Sequence, residues 1–270
     1  MTEFEIFANR EQEGWSLKEI VDAYVRLFGP ITDVAARLMV EREGGPQRNV
    51  LDLCCGQGSL TAMLCDSGAN VSGLDFSESM LELASNAAPT ASLHKGDAAD
   101  LPFSDRTFDA VLCNFGMMHL PDQPKALREI RRVLNPSGRF IMATWAAPDA
   151  SPAFGIVFGA IKANADFSQA PLQPDLFAFA NPSVAAQMMS EAGLKLVSHD
   201  LVTTDWVLER PEELFEIFLN ATVGASMVIK SQTMDTIQKI EAVISQKVAS
   251  EFQTGEGYKV PVSIAVNVAE

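Results

Sequence analysis

Basic residues are scarce in this chain: 20 Lys and Arg stand against 35 Asp and Glu, a formal net charge of −15. Nucleic acid selects proteins with basic faces, so no nucleic-acid partner is expected. The densest basic cluster, Arg128, Arg131 and Arg132, shares a helical stretch with Leu127, Ile130 and Leu134 and reads as a solvated face. Cysteine is also sparse, limited to Cys54, Cys55, Cys65 and Cys113. These lack the paired spacing of a zinc site or a secreted disulfide framework. Reduced, structural thiols and no metal are therefore expected, with Cys113 set apart by its place beside the expected pocket. No apolar run approaches the roughly 18 residues of a membrane span. The opening residues Thr2, Glu3 and Glu5 lack the basic-then-apolar plan of a signal peptide, so the expected location is the cytoplasm.

What is present is enough for a full α/β core. The chain has 270 residues, 47% of them hydrophobic, which fits one domain with insertions. Its most informative stretch is Val50-Leu51-Asp52-Leu53-Cys54-Cys55-Gly56-Gln57-Gly58-Ser59. The run Val50 to Leu53 reads as a buried strand, and Ser59 to Leu64 as the start of a helix. Gly56 and Gly58 let the backbone turn sharply and approach a ligand. In a parallel α/β sheet, the crevice beyond the first strand is where nucleotide-like ligands bind. A dinucleotide site wants a third glycine where this chain has Thr61, and its pyrophosphate would not welcome Asp52 nearby. An acid beside the turn suits a cationic ligand instead, such as the ammonium and sulfonium of S-adenosylmethionine. Such a turn also occurs as a purely structural element, so the strands that follow carry the weight.

About 20 residues on, where an acid accepts from ribose hydroxyls, the strand Val71-Ser72-Gly73-Leu74-Asp75 ends in one. Asp75 also fits a simple cap for a helix from Ser77 to Ser85. A third strand runs into Gly96-Asp97-Ala98, and a fourth, Phe108 to Phe115, runs into Gly116, Met117, Met118 and His119. Polar groups or glycines thus close four successive strands, with helical stretches between them.

With VLDLCCGQG, GLDFSESMLELA, KGDAADLPFSDRTFDAV and LREIRRVLNPSGRFIMATW in this order, the chain resembles the class I S-adenosylmethionine-dependent methyltransferases. Within them it is most similar to the small-molecule branch of ubiquinone/menaquinone C-methyltransferases and natural-product methyltransferases. The likeness is closest over residues 48–145. Cys54 stands where the family usually has the first glycine of its turn. A small side chain is expected to be tolerated there, because the two later glycines remain. The fourth strand, Cys113-Asn114-Phe115-Gly116, also lacks the Asn-Pro-Pro-aromatic signature of base-modifying DNA methyltransferases.

The resemblance implies a Rossmann-like α/β fold, a mostly parallel sheet with a final antiparallel strand, and helical lid and cap insertions. It divides the chain into an amino-terminal helical lid (1–45), a cofactor-binding core (46–147) and a remainder (148–270) with cap insertions near 150–180 and 211–252. Apolar stripes predict lid helices through Leu17 to Phe28 and Ile31 to Met39, broken by Gly29-Pro30 and ended by Gly44-Gly45-Pro46. A helix from Pro124 to Leu134, a turn at Asn135 to Gly138 and a strand from Arg139 to Thr144 follow. Asn181-Pro182 predicts a helix start, Leu194 to Asp200 a strand, and Val260 to Val268 a last strand whose Pro261 needs an unpaired position.

The same resemblance assigns the site. It places Asp52, Cys54, Cys55, Gly56, Gln57 and Gly58 at the methionine and ribose side, and Asp75 on the ribose hydroxyls. Phe76 and Met80 flank the adenine, Asp97 accepts from its amine, and Ala98 donates a backbone N–H. Asn114 and Phe115 form the floor under the sulfonium, and Tyr24 of the lid lies near the methionine end. His119, at the mouth where an acceptor enters, is the candidate general base. His94 and His199 fall on strands and are not candidates. The expected activity is methyl transfer to O, N or C of a small hydrophobic or aromatic metabolite, with S-adenosylhomocysteine as product. Two alternatives stay open: cyclisation on the same fold without methyl transfer, and a non-catalytic binding partner. Oligomeric state is not legible in the sequence.

Overall fold

In the computed structural model, which describes residues 4–43, 45–168 and 170–270, the run beginning at Val50 is part of a buried parallel strand. Thr2, Glu3 and Gly44, which entered the expectations above, lie outside the described residues. The helices α1 (Glu5–Gly14), α2 (Lys18–Leu27) and α3 (Gly29–Glu43) come first. A strand–helix alternation follows: β1 (Asn49–Leu53), α4 (Ser59–Asp66), β2 (Asn70–Asp75), α5 (Glu78–Ala87), β3 (Ser92–Lys95), β4 (Phe108–Asn114), α6 (Gln123–Val133) and β5 (Leu134–Trp145). The chain continues through α7 (Pro152–Asn164), α8 (Pro182–Glu191), β6 (Leu196–Leu208), α9 (Glu213–Asn220), α10 (Gly224–Lys230), α11 (Met234–Glu251), β7 (Gln253–Thr254) and β8 (Gly257–Ala269).

The sheet order is β3-β2-β1-β4-β5-β8-β6, with β7 pairing to β8. Strands β1 to β5 are mutually parallel, and β8 inserts antiparallel between β5 and β6. The sheet is therefore mostly parallel with a reversed last strand, a Rossmann-like α/β architecture. Side chains alternate between its faces, as a period of two demands. Val50, Ala110, Leu112, Ile141 and Ala143 pack with α3, α4, α7, α9 and α11 on one side. Leu51, Leu53, Val111, Phe140 and Met142 pack with α6 and α8 on the other. Burying each such side chain contributes roughly 1.5–3 kcal/mol, so the strands are held from both faces.

Several elements differ from expectation. The amino-terminal region has three helices, and α3 buries Ile31, Ala35, Ala36 and Met39 in the sheet's own helical layer. Only α1 and α2 lie over the strand ends, where Trp15 and Val21 join Met80 of α5 and Val223, the N-cap of α10. The turn at Asn135 to Gly138 is an irregularity inside β5: Leu134 pairs with Phe108, and the register resumes at Arg139 opposite Ala110. Strand β6 runs on past Asp200 to Leu208, because β8 offers it a partner along that whole length. Pro261 is opposite Asp205 of β6, while β8 meets β5 only from Ile264 onward, so the proline sits where one flank is free. Arg132 is no solvated charge. It donates to the carbonyls of Leu101 and Phe103 and pairs with Glu129 and Asp105, tying the loop after β3 to α6. Among the described residues, no helix is long and apolar enough to cross a membrane.

Candidate active site

The parallel order reverses between β1 and β4, the place where a crevice opens at the strands' carboxyl ends. A narrow cleft of about 90 Å³ lies there. It is lined by Asp52, Cys54, Cys55, Gly56 and Gln57 after β1, by Asp75, Phe76 and Met80 at β2 and α5, and by Asn114, Phe115 and His119 after β4. Tyr24 closes it from α2. Twelve of the fifteen residues read from the sequence thus meet at one cleft, and three lie elsewhere.

 The twelve lining residues are those just named, and the three that do not line the cleft are Gly58, Asp97 and Ala98.

Each of those three has a physical reason for its position. A Cβ on Gly58 would stand 2.7 Å from the Ala84 Cα, so this glycine lets α4 pack closely on α5. Asp97 is exposed, and its Oδ1 accepts from the Ala99 N–H at 2.8 Å, closing its own turn. Ala98 is buried against Leu74, Leu101 and other residues of the opposite core face.

The turn after β1 is built around Asp75. Its Oδ2 accepts from the Gly56 N–H and its Oδ1 from the Ser77 N–H, each at 2.9 Å. The helix cap that Asp75 might have supplied comes instead from Ser77, whose Oγ accepts from the Met80 N–H and donates to the Trp15 carbonyl. Burial pushes the Asp75 carboxyl up from its ordinary range, opposed by backbone N–H groups of Ser77, Gly56 and Phe76. Asp52 is 1% exposed, and burial raises its carboxyl to about 7 despite the bond from Thr61 Oγ1 at 2.6 Å.

Two polar atoms here lack partners. Asp52 Oδ1 and Asn114 Oδ1 are buried acceptors with no hydrogen bond, though Asn114 Nδ2 donates to the Thr32 carbonyl at 3.2 Å. Buried acceptors left unpaired cost roughly 1–3 kcal/mol, and a cationic donor answers both. The donor set therefore fits the ammonium end of S-adenosylmethionine. The backbone is strained in the same place: Cys54 and Phe115, closing β1 and β4, have φ of 58° and 57°. Cys54 and Cys113 meet beneath the turn, where burial and their mutual hydrogen bond push the Cys54 thiol up. Cys113 itself is fully buried and does not line the cleft.

A second cavity, about 490 Å³, adjoins the first and shares Trp15, Tyr24 and His119 with it. Its walls are aromatic: Phe28, Trp145, Phe154, Phe158 and Phe218, with Met118. These rings pack edge-on and stacked, with Phe154 and Phe218 centroids 5.2 Å apart. The cap helices α7 and α9 and the loop before α10 supply much of the wall. Sequence reasoning missed Glu11 and Trp15, which also line this cavity. Their spacing of four puts them on one helical face, a signal hidden by the weak apolar stripe of α1. Burial, with Asp33 and Asp75 nearby, pushes the Tyr24 hydroxyl well up, so it stays a neutral donor. His94 and His199 lie on β3 and β6, away from both cavities.

A methyltransferase domain family matches residues 51–142. A demethylmenaquinone methyltransferase from Listeria welshimeri is 33% identical over 173 residues, covering 56% of this chain and 72% of that protein. Another, from Renibacterium salmoninarum, is 38% identical over 117 residues, covering 43% of this chain and 49% of that protein. The chain thus spans about half the length of the second relative. A solved structure of a putative methyltransferase from Bacillus halodurans superposes with a TM-score of 0.59 at 20% identity, over 87% of this chain and 97% of that one, which bears on the fold alone. By its sequence likeness to the Listeria protein, the chain belongs to the class I S-adenosylmethionine-dependent methyltransferases.

Proposed function

We propose that this protein transfers a methyl group from S-adenosylmethionine to a small hydrophobic or aromatic metabolite. The observation that carries this reading is the aromatic cavity, which shares Trp15, Tyr24 and His119 with the cofactor cleft. The bound cofactor supplies an activated methyl carbon on a sulfonium. Asp52 and Asn114 hold its ammonium, Asp75 its ribose hydroxyls, and Phe76 and Met80 its adenine. Phe115, fixed by its ring packing on Trp145 at 4.0 Å, forms the floor.

With the methyl already activated, the chain's task is orientation and exclusion of water. Such positioning is worth roughly 7–11 kcal/mol of barrier. The apolar walls suit an aromatic acceptor, and the names of the relatives make a quinone-like ring a concrete member of that class. Cyclisation without methyl transfer draws no support from those relatives. The test incubates the full chain with methyl-labelled S-adenosylmethionine and a panel of aromatic acceptors. Label in an acceptor with matching S-adenosylhomocysteine supports the reading; turnover of an acceptor without S-adenosylhomocysteine overturns it.

A further inference from the structure

His119 is held by a residue of the amino-terminal helix. Its Nδ1 is 2.8 Å from Glu11 Oε2, and the same oxygen accepts from Trp15 Nε1 at 2.9 Å. Glu11 is 4% exposed, and no other polar side chain among the described residues bonds it. A carboxylate only accepts, so the tautomer that suits this contact carries its proton on Nδ1 and its lone pair on Nε2. No protein group among the described residues bonds that Nε2. Trp15 packs edge-on against the imidazole at 5.4 Å, further fixing the ring.

We infer that Glu11 and His119 form a positioning residue and general base, and that the methyl acceptor is the hydroxyl oxygen of a phenol. This deepens the proposed function and rests on it. His119 borders both the cleft and the aromatic cavity, so a base there faces the acceptor. A phenol is neutral near pH 7 and a poor nucleophile until its proton leaves. In the step, the O–H proton passes to His119 Nε2 and the oxygen forms a bond to the methyl carbon. The carbon–sulfur bond breaks, and its electron pair stays on sulfur. Glu11 carries the charge opposite the imidazolium until the proton passes to solvent. Because Glu11 comes from α1, the base is oriented only with that helix in place over the strand ends.

The test has two arms. In the first, long-range proton–nitrogen spectra of the full chain alone report which nitrogen of each histidine is protonated. There are three histidines, and His119→Asn identifies the signals of interest by their loss. The expected result is a proton on Nδ1 of neutral His119 that moves to Nε2 in Glu11→Ala. A proton on Nε2 in the unaltered protein overturns the inference. In the second arm, calorimetry first measures S-adenosylmethionine binding. Labelled methyl transfer is then followed to 1-naphthol, 1-naphthylamine and 1-methoxynaphthalene. Transfer to the naphthol oxygen is expected, falling about 10²–10⁴-fold in kcat with His119→Ala. Glu11→Ala should lower kcat at least 10-fold with KM within 2-fold, and Glu11→Asp should restore part of it. Failure to methylate the naphthol oxygen, whether or not nitrogen or carbon is methylated, overturns the phenol assignment. Absent cofactor binding overturns the proposed function beneath it.

Discussion

Asp75 Oδ2 accepts the Gly56 N–H at 2.9 Å, so the acid that ends β2 shapes the turn that ends β1. The other oxygen holds the Ser77 N–H just before α5. A carboxylate offers about four acceptor positions, so lone pairs remain for ribose hydroxyls. Asp75→Ala should therefore lose twice. Hydrogen bonds to charged groups contribute roughly 1.5–3 kcal/mol, about 10- to 150-fold in cofactor affinity. Removing the anchor of two backbone N–H groups should also lower the melting temperature without ligand. Calorimetric titration alongside an unliganded melt checks both losses, and unchanged affinity would count against the ribose role.

A pH dependence follows from Asp52. Its carboxyl is raised from 3.8 to about 7 by burial, so the folded state holds a proton that the unfolded state releases between those values. Stability rises with pH only where the unfolded state binds more protons, so here it falls as pH climbs from about 4 to 7. Asp75 is shifted upward too and adds to the same slope. Asp52→Asn should flatten the decline and raise the melting temperature near pH 8. A cationic ligand favours the ionised form, so cofactor affinity should rise with pH in the native protein and lose much of that rise in Asp52→Asn. Melting curves and titrations at pH 5, 6, 7 and 8 read both.

Much of this was legible because local chemistry and fold agree. The run Val50 to Leu53, the glycine turn and Asp75 satisfy strand and turn requirements together, and they lie at the ends of neighbouring strands as the spacing implied. Where one residue type serves two purposes, the sequence alone does not say which. Gly58 permits helix packing on Ala84, and Asp97 closes a turn, yet both look like ligand residues in one dimension. Glu11 was invisible for the opposite reason. One of three acids in a weakly amphipathic helix reads as surface until tertiary packing buries it beside His119 and Trp15. Likewise, Arg132 looked solvated because the carbonyls it holds belong to a loop about 30 residues earlier in the chain.

Gly116 and Cys54 are predicted to be energetically coupled. A Cβ on Gly116 would lie 2.5 Å from the Cys54 Cβ and 2.8 Å from the Cys113 Sγ. Overpacking of this kind costs typically about 1–3 kcal/mol, so Gly116→Ala should destabilise the fold by that order. Cys54→Gly removes one clashing side chain and suits the φ of 58° at that position. The double variant should therefore recover part of the loss, with an interaction energy of roughly 0.5–3 kcal/mol. Urea unfolding of all four proteins measures the cycle, and strictly additive losses would mean that the two positions do not share the strain.

The last prediction concerns how the amino-terminal helices stay over the site. Gly14 closes α1 against Val223, where an added Cβ would meet the Val223 Cγ2 at 2.5 Å and Cγ1 at 2.8 Å. Trp15 follows directly, and Glu11 lies one turn earlier on the same helix. Gly14→Ala should thus push α1 away from α10, shifting Trp15 from the wall that cleft and cavity share and Glu11 from the cavity. The three atoms nearest to that Cβ all belong to Val223, so global stability should fall by only about 1–3 kcal/mol, the range for local overpacking. The larger effects should be faster proteolysis before Gly29 and weaker binding of aromatic ligands, because α1 supplies Phe7, Glu11 and Trp15 to that cavity. Val223→Ala removes both clashing methyl groups and should restore the closed arrangement in the double variant. Limited proteolysis with mass analysis, run beside a urea melt, separates the two effects. Unchanged cleavage before Gly29 in Gly14→Ala would show that this contact does not hold α1 in place.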